Sequence, residues 1–304
     1  MRHFLTLREF DRSEIESLFR SAARFKAERA AGRRTGRLNG RTVGMIFDKP
    51  STRTRVSFEV GVQDLGGRVV FMHGSETQLS RQEPISHAAR VLSRYLDAMV
   101  IRTYSQAGLE EMARFASIPV INALTDMYHP CQVLSDMFTI WEKFGKIDQL
   151  KIAWLGDGNN MAHSWLNAAA IMDFELSMAV PEGYDPDPDI LAQSQARASV
   201  TLTRDPVAAV TGAQVVNTDV WASMGQEQEA AERALRFKPY QLDAELLAKA
   251  DPAAIVLHCL PAHIGEEIAE DVFEGPRSVV FDQAENRLHA QKALLEMIIL
   301  GGAG

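Results

Sequence analysis

The run Lys49-Pro50-Ser51-Thr52-Arg53-Thr54-Arg55 sets three hydroxyls around a guanidinium, after the apolar stretch Thr42 to Phe47 and before the helix-spaced stretch Val56 to Leu65. Pro50 fixes its own φ and pushes Lys49 out of the helical region, while Ser51 is a preferred N-cap. The spacing predicts a strand, a tight loop and a helix starting at about Thr52. The first N–H groups of such a helix point out of its positive end, so Ser51, Thr52, Arg53 and Thr54 suit a small dianion such as a phosphate group. The same residue types also suit a solvated helix start, with Arg55 paired to a neighbouring carboxylate.

Other residues with chemical potential are scattered along the chain. His129-Pro130-Cys131-Gln132 opens a helical stretch, and His129 and Gln132 are spaced to face one point. There an imidazole N–H can stabilise an oxyanion and an amide can recognise an NH2 group, although a His before Pro also serves as a cap or core residue. Gly156-Asp157-Gly158-Asn159-Asn160 invites a dinucleotide reading, but Met161 stands where the fingerprint needs a third Gly. In the competing reading, Asn160 aims its amide at a polar substrate. Asp219, in Asp219-Val220-Trp221-Ala222-Ser223-Met224-Gly225, is either a cap or loop charge, or a carboxylate for an α-ammonium group. In the second case Ser223 and the backbone near Met224 would take an α-carboxylate. Cys259, in His258-Cys259-Leu260-Pro261, is either an inert buried hydrophobe or a thiol or thiolate at a strand end that faces Asp219 and holds and helps deprotonate an attacking amine. Arg287 on its own reads as a surface residue.

Apolar runs at Thr42 to Phe47, Arg68 to Met72, Ala98 to Ile101 and Pro119 to Asn122 alternate with helical spacing at Thr52 onward, Pro84 to Tyr95 and Leu109 to Ala116. A helix from Asp11 to Ala31 precedes them. The pattern restarts with strands at Lys151 to Leu155, Leu176 to Val180, Ser199 to Thr203, Gln214 to Thr218 and Ala254 to Leu257. Such alternation implies an α/β fold of two doubly wound parallel-sheet domains, here joined by interdomain helices. The expected boundaries are 1–144, 145–283 and a terminal helix, 284–304, packing back on the first domain. Ligands in such sheets sit at the carboxyl ends of strands, where Ser51 to Thr54, Arg102, His129, Asn160, Asp219 and Cys259 all fall.

The chain has 304 residues, 46% of them hydrophobic, enough for two domains each with its own core. A net charge of -8 argues against a general nucleic-acid binder. Its two cysteines, Cys131 and Cys259, lack metal-ligand spacing, so neither a zinc site nor a disulfide framework is expected. With a charged N-terminus and no long apolar stretch, the sequence suggests a cytoplasmic protein with no membrane partner.

KPSTRTR resembles the carbamoyl phosphate motif of the aspartate and ornithine carbamoyltransferases. HPCQ, GDGNNMAHSW, DVWASMG and HCLP resemble the ornithine branch, and with RHFL near the start and AENR near the end the likeness covers essentially the whole chain. The resemblance implies transfer of the carbamoyl group of carbamoyl phosphate to the δ-amine of ornithine, giving citrulline and phosphate, without metal or organic cofactor. By resemblance Ser51, Thr52, Arg53, Thr54, Arg102 and Arg287 hold the phosphate, and Arg102 and His129 polarise the carbonyl with help from Thr54. Gln132 and the backbone of Cys259 and Leu260 orient the carbamoyl NH2, with Pro130 and Cys131 in the same binding motif. Asn160, Asp219, Ser223 and Met224 hold ornithine beside Cys259. A homotrimer with shared active sites is also implied, with Gln78 of the loop His73 to Glu83 reaching a neighbouring subunit. Two departures bear on oligomer contacts and affinity: Ser86-His87-Ala88-Ala89 replaces the usual Asp-Thr-Ala stretch, and Ile264 stands where many relatives carry Arg. Two alternatives are a carbamoyltransferase for putrescine or an N-acylated ornithine, and a non-catalytic anion-binding paralogue.

Overall fold

The computed structural model describes residues 2–74, 77, 83–222 and 229–301. Its contacts divide the chain into two units: residues up to Phe138 together with Glu285 onward, and Thr139–Ala284.

The first unit contains α1 (Arg12–Ala30), β1 (Thr42–Phe47), α2 (Thr52–Asp64), β2 (Arg68–His73), α3 (Ile85–Leu92), β3 (Ala98–Arg102), α4 (Gln106–Phe115) and β4 (Val120–Leu124). Helix α5 (Pro130–Phe144) then carries the chain across the division. The strands form one parallel sheet in the order β2-β1-β3-β4. β1, β3 and β4 are almost wholly buried, which is why they read in the sequence as unbroken apolar runs. α1 starts on a reciprocal capping box between Asp11 and Glu14, and Gly32 follows its end at φ +69°. Asp64, at the end of α2 and 2% exposed, is ringed by Arg29, Arg34 at 2.7 Å and Lys292 at 3.4 Å.

The second unit contains β5 (Lys151–Leu155), α6 (Asn160–Met172), β6 (Glu175–Ala179), α7 (Pro188–Gln195), β7 (Val200–Thr203), α8 (Pro206–Val210), β8 (Val215–Thr218), α9 (Ala230–Phe237), α10 (Ala244–Leu247), β9 (Ile255–His258) and α11 (Glu270–Phe273). The last helix, α12 (Val280–Leu300), returns the chain to the first unit. The sheet order is β7-β6-β5-β8-β9, again all parallel. Each unit is therefore a doubly wound α/β layer.

Some element ends differ from the sequence reading. α12 begins at Val280, and its first turn is closed by the Gln283 N–H donating to the Val279 carbonyl at 2.9 Å. The polar Asp282 to Asn286 stretch therefore lies inside the helix and does not cap it. α3 stops at Leu92, where the Ser93 hydroxyl donates to the Ala89 carbonyl at 2.6 Å and the chain turns away.

Candidate functional site

In each sheet the strand order reverses at one place, and in folds of this kind ligands bind beside the carboxyl edge there. In the first sheet the reversal lies between β1 and β3, whose ends are in register at Phe47 and Arg102. In the second it lies between β5 and β8, and Leu155, Thr218 and His258 stand side by side at the ends of β5, β8 and β9. The residues that follow, Gly156, Asp219 and Cys259, leave the second sheet at one level.

At the first edge Ser51 caps α2, its hydroxyl accepting from the Thr54 N–H at 3.3 Å. Thr52 and Arg53 are exposed, and Arg53 pairs with no carboxylate among the described residues. Arg55 instead pairs with Glu59 at 3.4 Å and lies over the Phe71 ring at 3.7 Å. The two arginines of KPSTRTR are thereby separated, one into an ion pair along the helix and one at its positive end. Thr54 is fully buried and its hydroxyl accepts from Arg287 Nη2 at 2.7 Å, which brings the last helix to the same helix start. Arg102 is 7% exposed, and its carbonyl accepts from the Asp48 N–H at 2.9 Å.

His129 precedes Pro130, the first residue of α5, a position where a missing N–H costs nothing. It is buried, and burial first, then the charges of Arg287 and Arg102, hold its imidazole well below the usual histidine range. A neutral ring flanked by two guanidinium groups is a hydrogen-bond donor suited to a developing oxyanion. Gln132 is 1% exposed. Its amide nitrogen donates to Asp136 at 2.9 Å, and its amide oxygen has no partner among the described residues. That oxygen is suited to an incoming NH2 donor. Cys131, by contrast, packs its thiol on the Asn122 carbonyl at 3.2 Å, and burial pushes its pKa up to about 12, which leaves it chemically inert.

At the second edge Asp219 is the centre. One carboxylate oxygen accepts from the Cys259 thiol at 2.9 Å and the Val220 N–H at 2.8 Å, and the other accepts from Asn159 Nδ2 at 3.0 Å. The expectation that Cys259 faces Asp219 is thereby met. Cys259 lies in a turn fixed by His258, whose Nδ1 accepts from the Leu260 N–H at 2.9 Å while Nε2 meets Glu267 at 3.0 Å. The ring hydrogen therefore sits on Nε2, toward the carboxylate. Leu260 adopts φ +59°, a conformation uncommon outside glycine that is sustained only where the surroundings enforce it.

The asparagine that touches Asp219 is Asn159, which also caps α6 by accepting from the Met161 N–H at 2.9 Å. Asn160 is the first helical residue, half-buried. The glycines of this turn have local reasons: Gly156 has φ +129°, and a Cβ on Gly158 would stand 2.2 Å from the Pro186 nitrogen. Gly158 thus admits the 184–186 connection, and the incomplete dinucleotide fingerprint needs no nucleotide to explain it. Gln78, Ser223 and Met224 lie outside the described residues.

Two further residues at these edges were given no role in the sequence reading. Lys49, 7% exposed, pairs its ammonium with Asp126 and holds it 4.2 Å over the Tyr104 ring, which ties together the loops after β1, β3 and β4. Arg233 on α9 makes a buried ion pair of 2.7 Å with Asp157 in the turn after β5.

Residues 2–142 match the carbamoyl-P binding domain of aspartate/ornithine carbamoyltransferase, and residues 148–298 match the Asp/Orn binding domain. The chain is 56% identical to the ornithine carbamoyltransferase of Desulfotalea psychrophila over 98% of its own length and 99% of the relative's. The corresponding values for the Geobacter metallireducens protein of the same name are 53%, 98% and 99%. The solved ornithine carbamoyltransferase of Pyrococcus furiosus superposes with a TM-score of 0.94 at 47% identity, covering 100% of this chain and 98% of that one. The anabolic enzyme of Campylobacter jejuni gives 0.93 at 41% identity, covering 99% and 100%. With both domain models matched and full-length relatives above half identity, the chain belongs to the aspartate/ornithine carbamoyltransferase family.

Proposed function

We propose that this chain catalyses carbamoyl transfer from carbamoyl phosphate to the δ-amine of L-ornithine, releasing L-citrulline and phosphate. The observation that carries the choice of second substrate is the Asp219 carboxylate bonded by the Cys259 thiol at the ends of β8 and β9. A fixed carboxylate there suits the α-ammonium of an amino acid, and the thiol beside it suits a nearby amine.

In this reading the first domain, expected to span 1–144, grips the dianion with the N–H groups and hydroxyls of Ser51, Thr52 and Thr54 and with the charges of Arg53, Arg102 and Arg287. Gln78 joins them from a neighbouring subunit. Arg102 and His129 donate to the carbamoyl oxygen, with Pro130 and Cys131 setting the loop that holds His129. Gln132 and the carbonyls of Cys259 and Leu260 accept from the carbamoyl NH2. In the second domain, expected to span 145–283, Asn160, Asp219, Ser223 and Met224 hold the α-amino acid end of ornithine. The neutral δ-amine attacks the carbamoyl carbon, a new C–N bond forms, and the C–O bond to phosphate breaks. The proton shed by nitrogen passes to the departing phosphate, or to Cys259 Sγ as the thiol gives its own proton to the Asp219 carboxylate that it bonds. Donors placed where negative charge develops lower the barrier of both steps.

We further propose a cytoplasmic homotrimer acting in arginine metabolism, with sites shared between subunits. Within the described residues no helix is long and apolar enough to cross a membrane. A native mass of about three times the 33.7 kDa chain is expected; a monomer would remove Gln78 from the site.

The substrate assignment is tested by supplying carbamoyl phosphate with a panel of amines. Turnover of ornithine, with putrescine and N-acylated ornithine at least about a hundredfold poorer in kcat/KM, is the expected result. Preference for either of those amines, or no turnover of any, contradicts it.

A further inference from the structure

Arg233 serves two strand ends at once. It is 5% exposed, and its Nη1 donates to Asp157 Oδ2 at 2.7 Å and to the Trp221 carbonyl at 2.8 Å, while Nε reaches Glu229 at 3.2 Å. The guanidinium carbon lies 4.7 Å from the Tyr184 ring centroid and 5.7 Å from that of Phe237, so both rings pack against the charged group. Asp157 belongs to the turn after β5, and Trp221 to the loop after β8. Asn159, in the same turn as Asp157, donates to Asp219, in the same loop as Trp221. The contacts therefore close a circuit from Asp219 through Asn159, Asp157, Arg233 and Trp221 back to Asp219.

The circuit has an electrostatic consequence. Asp157 and Asp219 are two carboxylates near one edge. Burial pushes the Asp157 carboxyl above the usual range and Asp219 adds in the same direction, while Arg233 opposes both. With Arg233 in place the Asp157 charge is matched within the protein, and Asp219 is the carboxylate left to meet a cation.

We propose that Arg233 is a positioning residue for the second substrate: it locks the 219–222 segment to the 156–160 turn and neutralises Asp157, so that Asp219 alone receives the ammonium group. This rests on the reading of the second domain as the ornithine-binding half. A substrate with one α-ammonium then finds one carboxylate at a fixed distance from the Cys259 thiol.

Initial rates with each substrate varied in turn, on the full-length enzyme, test it through Arg233→Met, Arg233→Lys, Asp157→Asn and Asp219→Asn. Arg233→Met is expected to raise the KM for ornithine about tenfold or more while the KM for carbamoyl phosphate stays within about twofold. Arg233→Lys, which keeps the charge but not the planar fork, is expected to fall between wild type and Arg233→Met. Asp157→Asn in the Arg233→Met background is expected to add little, because both changes break the same circuit. Unchanged ornithine kinetics in Arg233→Met, or both KM values rising together as a general loosening would cause, overturns the proposal. Should Arg233→Met not fold, Arg233→Lys decides it: about a threefold rise confined to ornithine supports the role, and no such rise removes it. If Asp219→Asn leaves the ornithine KM unchanged, the ornithine-half reading has failed and the role of Arg233 falls with it. If Asp219→Asn weakens ornithine and Arg233→Met does not, only the role of Arg233 is wrong.

Discussion

His129 does its proposed work as a neutral donor, and its surroundings keep it neutral. Burial and two nearby arginines depress its pKa, so the unfolded chain takes up a proton below about pH 6.5 that the folded protein resists. Stability is therefore lost as pH falls below about 6.5, by at most about 1.4 kcal/mol per pH unit from this group. Denaturant unfolding at pH 7.5 and 5.5 should show a larger loss for wild type than for His129→Gln; equal losses would contradict the depressed pKa. The two cysteines make a second contrast. Iodoacetamide should alkylate Cys259 and leave the buried Cys131 unmodified on the folded protein, with ornithine protecting Cys259, as read by peptide mass spectrometry. Labelling of Cys131, or no protection by ornithine, counts against these assignments. The Ser51 cap and the meeting of Asp219 with Cys259 were legible in the sequence because each lies within a few residues of a strand end. The bond from Asn159 to Asp219 was not, since it depends on the phase of one helix start. Arg233 was invisible because its partner Asp157 is 76 positions away and no local pattern links them.

At the scale of elements, the buried strands announced themselves and the helix ends did not. Parallel strands covered on both faces must be apolar throughout, so β1 and β5 were read to the residue. α12 was read four residues short because its first turn, closed by the Gln283 N–H on the Val279 carbonyl, precedes the polar stretch that looked like a helix start. Asp64 shows what holds these elements together. It sits at the end of α2 beside Arg29 of α1, Arg34 of the following loop and Lys292 of α12. Burial raises its pKa, but the neighbouring cations outweigh burial and hold the carboxyl below its usual range. This stabilisation is present above the ordinary aspartate pKa and is lost as pH falls through the lower folded value. Arg29 and Arg34 are largely exposed and so screened, and Asp64→Asn is expected to cost about 2–3 kcal/mol. Urea unfolding measures this; a loss below about 0.5 kcal/mol would show that the cluster contributes little.

Across the whole molecule, a chain carrying net charge -8 concentrates positive charge at one sheet edge, which suits the phosphorylated dianion of the proposed reaction. Arg53 and Arg287, from α2 and α12, stand at one helix start, and Arg102 ends β3 at the same sheet edge. The second unit does the converse, presenting a carboxylate at its own edge. The alternation of strands and helices made the two parallel-sheet units legible in the sequence. The direct test is citrulline formation by Arg53→Ala and Asp219→Asn with each substrate varied. Arg53→Ala should raise the carbamoyl phosphate KM and lower turnover, each by about tenfold or more, and Asp219→Asn should act on the ornithine KM by a similar factor with carbamoyl phosphate little changed. Near-normal kinetics in either variant, or the two effects exchanged between substrates, would contradict the assignment of one substrate to each half.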